Sequence, residues 1–291
     1  MKRCKKVARR RFCLYLCSLI YCIAMPIPVI ESVKAIEQQF NTGEEPVLVT
    51  CSDMNTYICK YMRSSAAAYK LVCELIGTQM AHAWQLVSPD FAFVHIKQKH
   101  WIGQQVSHNI SAPAIGCKRI DGVVDITPST FLQVSRSETM LRQLMKIALF
   151  DFWIANEDRN ANNANLLYDV VQERIVSIDY GCILNTATFD FPLSQLTTTD
   201  TILCSDLFHH LIQGRKISII DDITTGLKAD YKTCLKRSIQ QKDVILNVLP
   251  KEWNVSKDVV EEKIKQLFDS HWQSETWSNF EDCLNENLSH E

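Results

Sequence analysis

The stretch Asn156-Glu157-Asp158-Arg159-Asn160-Ala161-Asn162-Asn163, with Ile178-Asp179-Tyr180-Gly181 after it, carries the residue types that phosphoryl transfer requires. A carboxylate, an amide five residues later and a second carboxylate sixteen beyond that suit one proton acceptor and two oxygen ligands for a hard cation. A phosphoryl group in flight spreads negative charge over its oxygens, so the protein chiefly positions the reactants and neutralises charge. On this reading Asp158 orients an incoming hydroxyl and accepts its proton, while Asn163 and Asp179 hold Mg²⁺. Arg159 either pairs with a phosphate or fixes the loop electrostatically.

Elements of regular structure must hold these groups. Ser137 followed by Glu138 opens a helix in which Leu141, Leu144, Met145, Ala148, Leu149 and Phe152 recur on one face, so Asp158 falls just past its end. Residues 165–169 and 174–179 read as a hairpin turning at Val171-Gln172-Glu173, which returns Asp179 toward Asn163. Upstream, strands over 47–51 and 56–61 flank the turn Ser52-Asp53-Met54-Asn55, and Lys60 lies within the second. A helix over 66–85 follows, with Val72, Leu75, Ile76, Met80 and Ala83 as its buried face and Glu74 beside it. A strand lysine paired with a helix glutamate is the arrangement that holds ATP phosphates in kinases.

In this order the residues resemble the bacterial HipA-like kinases, within the wider superfamily that includes the phosphatidylinositol kinases, and particularly a compact subgroup without the large N-terminal extension. The likeness spans about residues 25 to 270 and rests on the Asp-Arg-x-x-x-Asn and Ile-Asp motifs. It implies an α+β, two-lobed protein-kinase-like fold with a small β-rich N-lobe and a mainly helical C-lobe. It also implies transfer of the ATP γ-phosphate to a hydroxyl, with serine or threonine of a protein as the leading acceptor. Carried over residue by residue, Lys60 meets the ATP phosphates, Glu74 is its partner, Asp158 is the catalytic base, and Asn163 and Asp179 are the Mg²⁺ ligands. The chain departs from its relatives at Asn160, where they place a histidine that supports loop geometry. A small-molecule or lipid kinase would use the same side chains, and a catalytically quiet nucleotide-binding partner module would keep the pocket alone. The partners implied are a protein substrate of unknown identity and an antitoxin-like protein.

No Gly-x-Gly-x-x-Gly motif and no Walker-type lysine motif occurs among the 8 glycines. Backbone amides around Thr42-Gly43-Glu44 or in the 52–55 turn are the two candidates to cradle phosphate. A chain of 291 residues, 46% hydrophobic, can bury a two-lobed catalytic unit. We divide it into residues 1–24, an N-lobe over 25–100 that binds nucleotide, an irregular connecting region over 101–136, and a catalytic and helical C-lobe over 137–291. In the connecting region and just before it, Lys97, Lys99, His100 and Trp101 form a basic and aromatic group, and Ser107, Ser111, Ser129 and Ser135 are candidate self-phosphorylation positions. Beyond residue 198 the tail reads as helices over 206–213, 230–240 and 256–272, the last capped by Ser256.

The net charge of −2 leaves no basic footprint for nucleic acid. It conceals an asymmetry, because residues 1–24 hold seven Lys or Arg and no acid, and the acidic remainder would attract a basic protein surface. That basic cluster and the apolar run after it have the form of a signal peptide or short anchor, which would carry a kinase away from ATP. Initiation at Met25 and a cytoplasmic location are therefore expected, with a membrane anchor over 12–30 as the alternative. The scattered cysteines beyond residue 24 lack Cys-x-x-Cys pairs and read as free thiols packed among apolar side chains.

Overall fold

A computed structural model describes residues 26–102 and 111–289. The expectations for residues 1–24 and for Ser107 lie outside these residues. The fold is α+β, with a β-sheet at the N-terminal end and a helical C-terminal part. Strands β1 (Val29–Glu31), β2 (Gln38–Gln39), β3 (Val47–Thr50), β4 (Thr56–Lys60), β5 (Phe91–His95) and β6 (Ala114–Lys118) form a six-stranded sheet in the order β1-β5-β6-β4-β3-β2. All neighbours are antiparallel except β1 and β5. A second sheet of three antiparallel strands joins β7 (Val123–Asp125), β8 (Leu166–Asp169) and β9 (Arg174–Ser177).

Helix α1 (Ser65–Ala83) begins at Ser64, whose hydroxyl accepts the Ala67 amide N–H. Sequence periodicity anticipates one apolar face, but α1 buries residues on nearly every side, Leu71, Val72, Cys73, Leu75, Ile76 and Met80 among them. A helix apolar all round belongs inside the protein, and α1 lies between the sheet and the helical part. Helix α2 (Glu138–Ile154) starts at Ser137, which accepts the Met140 N–H, and the predicted apolar face from Leu141 to Phe152 is fully buried. Ala155 ends it in the left-handed conformation, φ 52°, and the Ala155 N–H returns to the Asp151 carbonyl.

Beyond the left-handed turn after Cys182, the helices of the C-terminal part are α3 (Asp206–Ile212), α4 (Ile217–Ile239), α5 (Gln241–Val248), α6 (Lys257–Gln266) and α7 (Ser270–Leu288). Ser256 caps α6 as expected, accepting the Val259 N–H. The chain does not continue as one helix to residue 272, because Asp269 accepts the His271 and Trp272 N–H groups and so starts α7. The expected helix over 230–240 is the second half of α4, which starts at Ile217 and carries a single glycine.

The larger difference lies in residues 97–136, expected to be irregular. They contain β6, which pairs with both β4 and β5 at the centre of the sheet, and β7. Gly116 obscures the signal of β6, because a glycine inside a strand pattern weakens the pattern. The structure requires it: a Cβ there would stand 2.6 Å from Val94 Cγ2 and 3.0 Å from Cys59 Sγ. Lys97, His100 and Trp101 belong to the other face of the sheet. His100 Nδ1 meets Ser32 Oγ at 2.7 Å, Trp101 packs edge-on against Tyr61, and Lys97 pairs with Glu31.

An aromatic cluster ties the two parts together where α1 ends. Trp84 stacks on Trp153 at 5.3 Å and meets Phe150 edge-on at 5.2 Å, and Phe150 reaches the ring of Tyr180. Tyr180 in turn lies directly on α1, where a Cβ at Gly77 would fall 2.2 Å from Tyr180 Cβ. Close approach of helix and loop therefore depends on the missing side chain at position 77. Gly77→Ala should destabilise the fold by about 1–3 kcal/mol through overpacking, measured as a lower urea midpoint with an unchanged m-value. An unaltered midpoint would mean that Tyr180 does not sit against α1.

Candidate active site

Strand register sets the position of Lys60. It is the last residue of β4, opposite Ile115, and its Nζ points into a cleft between the sheet and the β7-β8-β9 unit. There it donates to Glu74 Oε2 of α1 at 2.8 Å and to Asp179 Oδ1 at 2.5 Å. Glu74 is itself buried, and its Oε2 also accepts the Tyr180 N–H at 3.0 Å, so one carboxylate oxygen holds both the lysine and the backbone after Asp179. Asp179 stands in the left-handed region, φ 58°, and its Oδ1 accepts the Gly181 N–H at 3.3 Å as well. A non-glycine residue held in this conformation is disfavoured unless its surroundings impose it, and the Lys60, Gly181 and Tyr180 contacts do so.

The charges shift one another in the expected directions. Burial opposes the Lys60 ammonium, but Glu74 and Asp179 outweigh it and hold its pKa well above the usual lysine value. Burial raises the Glu74 carboxyl despite Lys60. For Asp179 the lysine wins over burial, and its carboxyl stays below the ordinary range.

The second half of the site is the loop after α2. Asp158 Oδ2 accepts the side-chain amides of Asn163 at 3.0 Å and Asn165 at 2.9 Å. Asn165, in a left-handed conformation with φ 46°, also offers its carbonyl to the Ile178 N–H at 3.1 Å. That bond joins the Asp158 loop to the residue before Asp179; Asn163 and Asn165 line a separate cavity with Asp125, Thr127 and Asp206, while Asp179 lines the cleft with Lys60 and Glu74. Arg159 is fully buried. It donates to Asp151 Oδ1 and, at 2.8 Å, to the Ile178 carbonyl, and it lies over the Tyr180 ring at 5.1 Å. Of its two expected roles, the structure places it in fixing the loop. Its partner Asp151, which also accepts from Asn156, is fully buried, and burial pushes its carboxyl up to about 6.

Asn160 closes the turn of this loop. Its amide donates to the Glu157 carbonyl, its side-chain oxygen accepts the Asn162 and Asn163 N–H groups, and its own N–H bonds to the Asn163 carbonyl. Glu157 accepts from Asn185 and Thr186, whose backbone forms part of a left-handed turn over 184–187.

The cleft has a volume of about 460 Å³ and is lined by Phe40, Pro46, Ile58 and Ile115 on the sheet side, Lys118 to Ile120 at the back, and Leu167 and Ile178 below. Apolar walls with a few convergent charged groups suit a planar base with a phosphate tail. Register sets the two phosphate candidates at opposite ends of the β3-β4 hairpin. The loop 40–46 precedes Val47, which pairs with Cys59 next to Lys60, whereas the 52–55 turn lies at the opposite end of the hairpin. Thr42, Gly43 and Glu44 are thus at the Lys60 end.

The donor chemistry fits Mg²⁺. The Asp179 carboxyl is about a third exposed at the cleft, and Asn163 gives its amide N–H to Asp158, which leaves its side-chain oxygen for a cation. Among the described residues no group of three or more His, Cys, Asp or Glu could hold a metal, and a site of one carboxylate and one amide oxygen relies on phosphate and water ligands, as Mg²⁺ commonly does. Sequence reasoning had missed Asn165, because an amide two residues past Asn163 at the start of a strand carries no motif.

A β-sheet followed by a helical part, with a sheet lysine paired to a helix glutamate, is a kinase-like fold. The chain belongs to the HipA-like kinase family, which it matches over residues 33–279. Membership makes it a phosphotransferase that uses ATP. Among solved structures it is similar to the crystal structure of a Helicobacter pylori proinflammatory kinase, CtkA, with 12% identity and a TM-score of 0.48 over 90% of this chain and 99% of that one. No curated protein matches the sequence. Among the described residues no helix is long and apolar enough to cross a membrane.

Arg159→Met should lower stability by about 3–5 kcal/mol, since it leaves the buried Asp151 carboxylate without its charge partner. Chemical denaturation measures this. A change below about 1 kcal/mol, the level of an exposed pair, would contradict the buried bridge.

Proposed function

We propose that this protein transfers the γ-phosphate of Mg-ATP to a serine or threonine hydroxyl of a protein. The observation that carries the reading is the position of Lys60, held at once by Glu74 and Asp179 in the lining of the cleft. In this proposal Lys60 meets the phosphates of the nucleotide, and Glu74 fixes its direction. Mg²⁺ at Asp179 and Asn163 would neutralise the charge that develops on the phosphoryl oxygens.

Asp158 accepts the proton of the acceptor hydroxyl as the oxygen attacks phosphorus. The amides of Asn163 and Asn165 both donate to one of its oxygens, which directs the other toward the acceptor. The acidic body of the chain favours an acceptor segment that carries basic residues. The choice of a protein acceptor over a small molecule or lipid headgroup rests on family membership, because all three use the same side chains. An antitoxin-like partner is proposed on the same ground.

Incubation with radiolabelled ATP, Mg²⁺ and a cell lysate should label protein, whereas Asp158→Ala and Asp179→Asn should abolish the label. Equal labelling by all three proteins would remove both carboxylates from the reaction. Label found only in small molecules or lipid would replace the protein acceptor. Asn165→Gly keeps the left-handed backbone and removes one charge-assisted hydrogen bond, worth about 1.5–3 kcal/mol, so kcat should fall about 10- to 100-fold with KM for ATP little changed. A kcat equal to the parent's would show that Asn163 alone suffices to hold Asp158.

A further inference from the structure

Leu184, Asn185, Thr186 and Ala187 follow one another in the left-handed region, with φ of 57°, 53°, 59° and 60°. Residues with a Cβ visit that region singly, and of these four only asparagine tolerates it well. A β-branched threonine there is an outlier. Such a run persists only where its surroundings impose it, and strain of this kind gathers where function needs a fixed geometry.

Burial of Ile183 and Leu184 anchors the start of the turn. Glu157 holds its middle. Glu157 Oε1 accepts the Asn185 side-chain amide at 2.6 Å and Oε2 accepts the Thr186 hydroxyl at 3.0 Å, while the Asn185 N–H reaches the Ala155 carbonyl at 3.1 Å. Asn185 also donates to the Ser194 carbonyl and accepts the Ser194 N–H, which closes residues 185–194 into a loop. The far side of that loop is tied to α6, through Gln266 to the Leu193 N–H and through Lys263 to the Phe191 carbonyl.

Glu157 immediately precedes Asp158, and its carbonyl accepts the Asn160 amide that closes the turn of the same loop. One residue therefore joins the loop that carries Asp158 to the turn that follows the Asp179 segment. Glu157 lines neither the cleft nor the cavity of Asn163 and Asn165, so it acts through other groups. Its side-chain partners are neutral, an amide and a hydroxyl, and among the described residues no Lys, Arg or His pairs with it. Position 157 thus needs hydrogen-bonding capacity and has no printed use for a charge.

We propose that Glu157 is a positioning residue for Asp158, which it holds by fastening the Asp158 loop to the left-handed turn through hydrogen bonds and not through its charge. Without that fastening the Asp158 carboxylate shifts relative to the phosphate, while Lys60 and Glu74 stay as they are. A displacement of about 1 Å is enough to slow a reaction about a hundredfold. This rests on Asp158 as the base of the proposed function, but not on the kind of acceptor.

The rate of phosphoryl transfer and the dissociation constant of Mg-ATP, measured on the same folded proteins, test it. Glu157→Ala should lower kcat about 10- to 100-fold and change ATP affinity by less than about threefold. Glu157→Gln should recover kcat to within about threefold of the parent, because its amide oxygen still accepts from Asn185 and its amide nitrogen donates to the Thr186 hydroxyl. Asn185→Gly keeps the left-handed backbone and removes the side-chain bonds. It should lower kcat too, and adding it to Glu157→Ala should slow the enzyme little further, since both undo one fastening. If Glu157→Ala does not fold, Asn185→Gly carries the comparison of kcat with ATP affinity. A parental kcat in Glu157→Ala would overturn the proposal, as would Glu157→Gln as slow as Glu157→Ala, which makes the charge the working feature. Equal losses of kcat and ATP affinity would mark general loosening, and fully multiplicative effects of the two substitutions would mark independent roles; either overturns it. Any of these beside an inactive Asp158→Ala leaves the proposed function standing, whereas Asp158→Ala at the parent's rate ends both. Transfer to a small molecule or lipid replaces the protein acceptor alone, and the Glu157 comparison is then read on that acceptor.

Discussion

One ammonium group, held between two carboxylates, connects the parts of this protein. Lys60 comes from the sheet, Glu74 from the helix that packs under it, and Asp179 from the loop that follows β9. Glu74 is the buried member, and a buried carboxylate without its charge partner is strongly disfavoured, so it requires Lys60 beside it. Their mutual satisfaction therefore selects one relative placement of sheet, helix and loop. The Tyr180 N–H on Glu74 and the Gly181 N–H on Asp179 extend that selection to the backbone.

A second buried pair does the same for the other carboxylate. Arg159 and Asp151 are both without solvent contact, and the guanidinium reaches the Ile178 carbonyl, next to Asp179. The Asp158 loop and the Asp179 segment are thus joined twice, through Arg159 and through the Asn165 carbonyl. In the proposed reaction, rigid support of this kind would hold the reacting groups in place before substrate arrives, which is how electrostatic stabilisation becomes effective.

Much of this was legible in the sequence because charged and amide side chains at fixed spacing leave a direct trace. Lys60, Glu74, Asp158, Asn163 and Asp179 follow from residue type, order and the elements around them. The rest was hidden for identifiable reasons. Central strand β6 contains Gly116, required by the close approach of Val94 and Cys59, and a glycine weakens the strand pattern there. Asn165 stands out only through a contact made in three dimensions, with Asp158. The role of Asn160 in closing its turn depends on backbone geometry that composition does not reveal. The break before α7 hung on a single capping aspartate inside a run of helix-compatible residues.

The most direct test is the dissociation constant of Mg-ATP for Lys60→Met, measured beside the parent on protein whose unfolding midpoint shows it to be folded. The ion triad as described predicts at least about tenfold weaker binding, since a charge-assisted contact to phosphate is lost. Equal affinity in the two proteins would contradict the account, because the lysine at its centre would then not face the nucleotide.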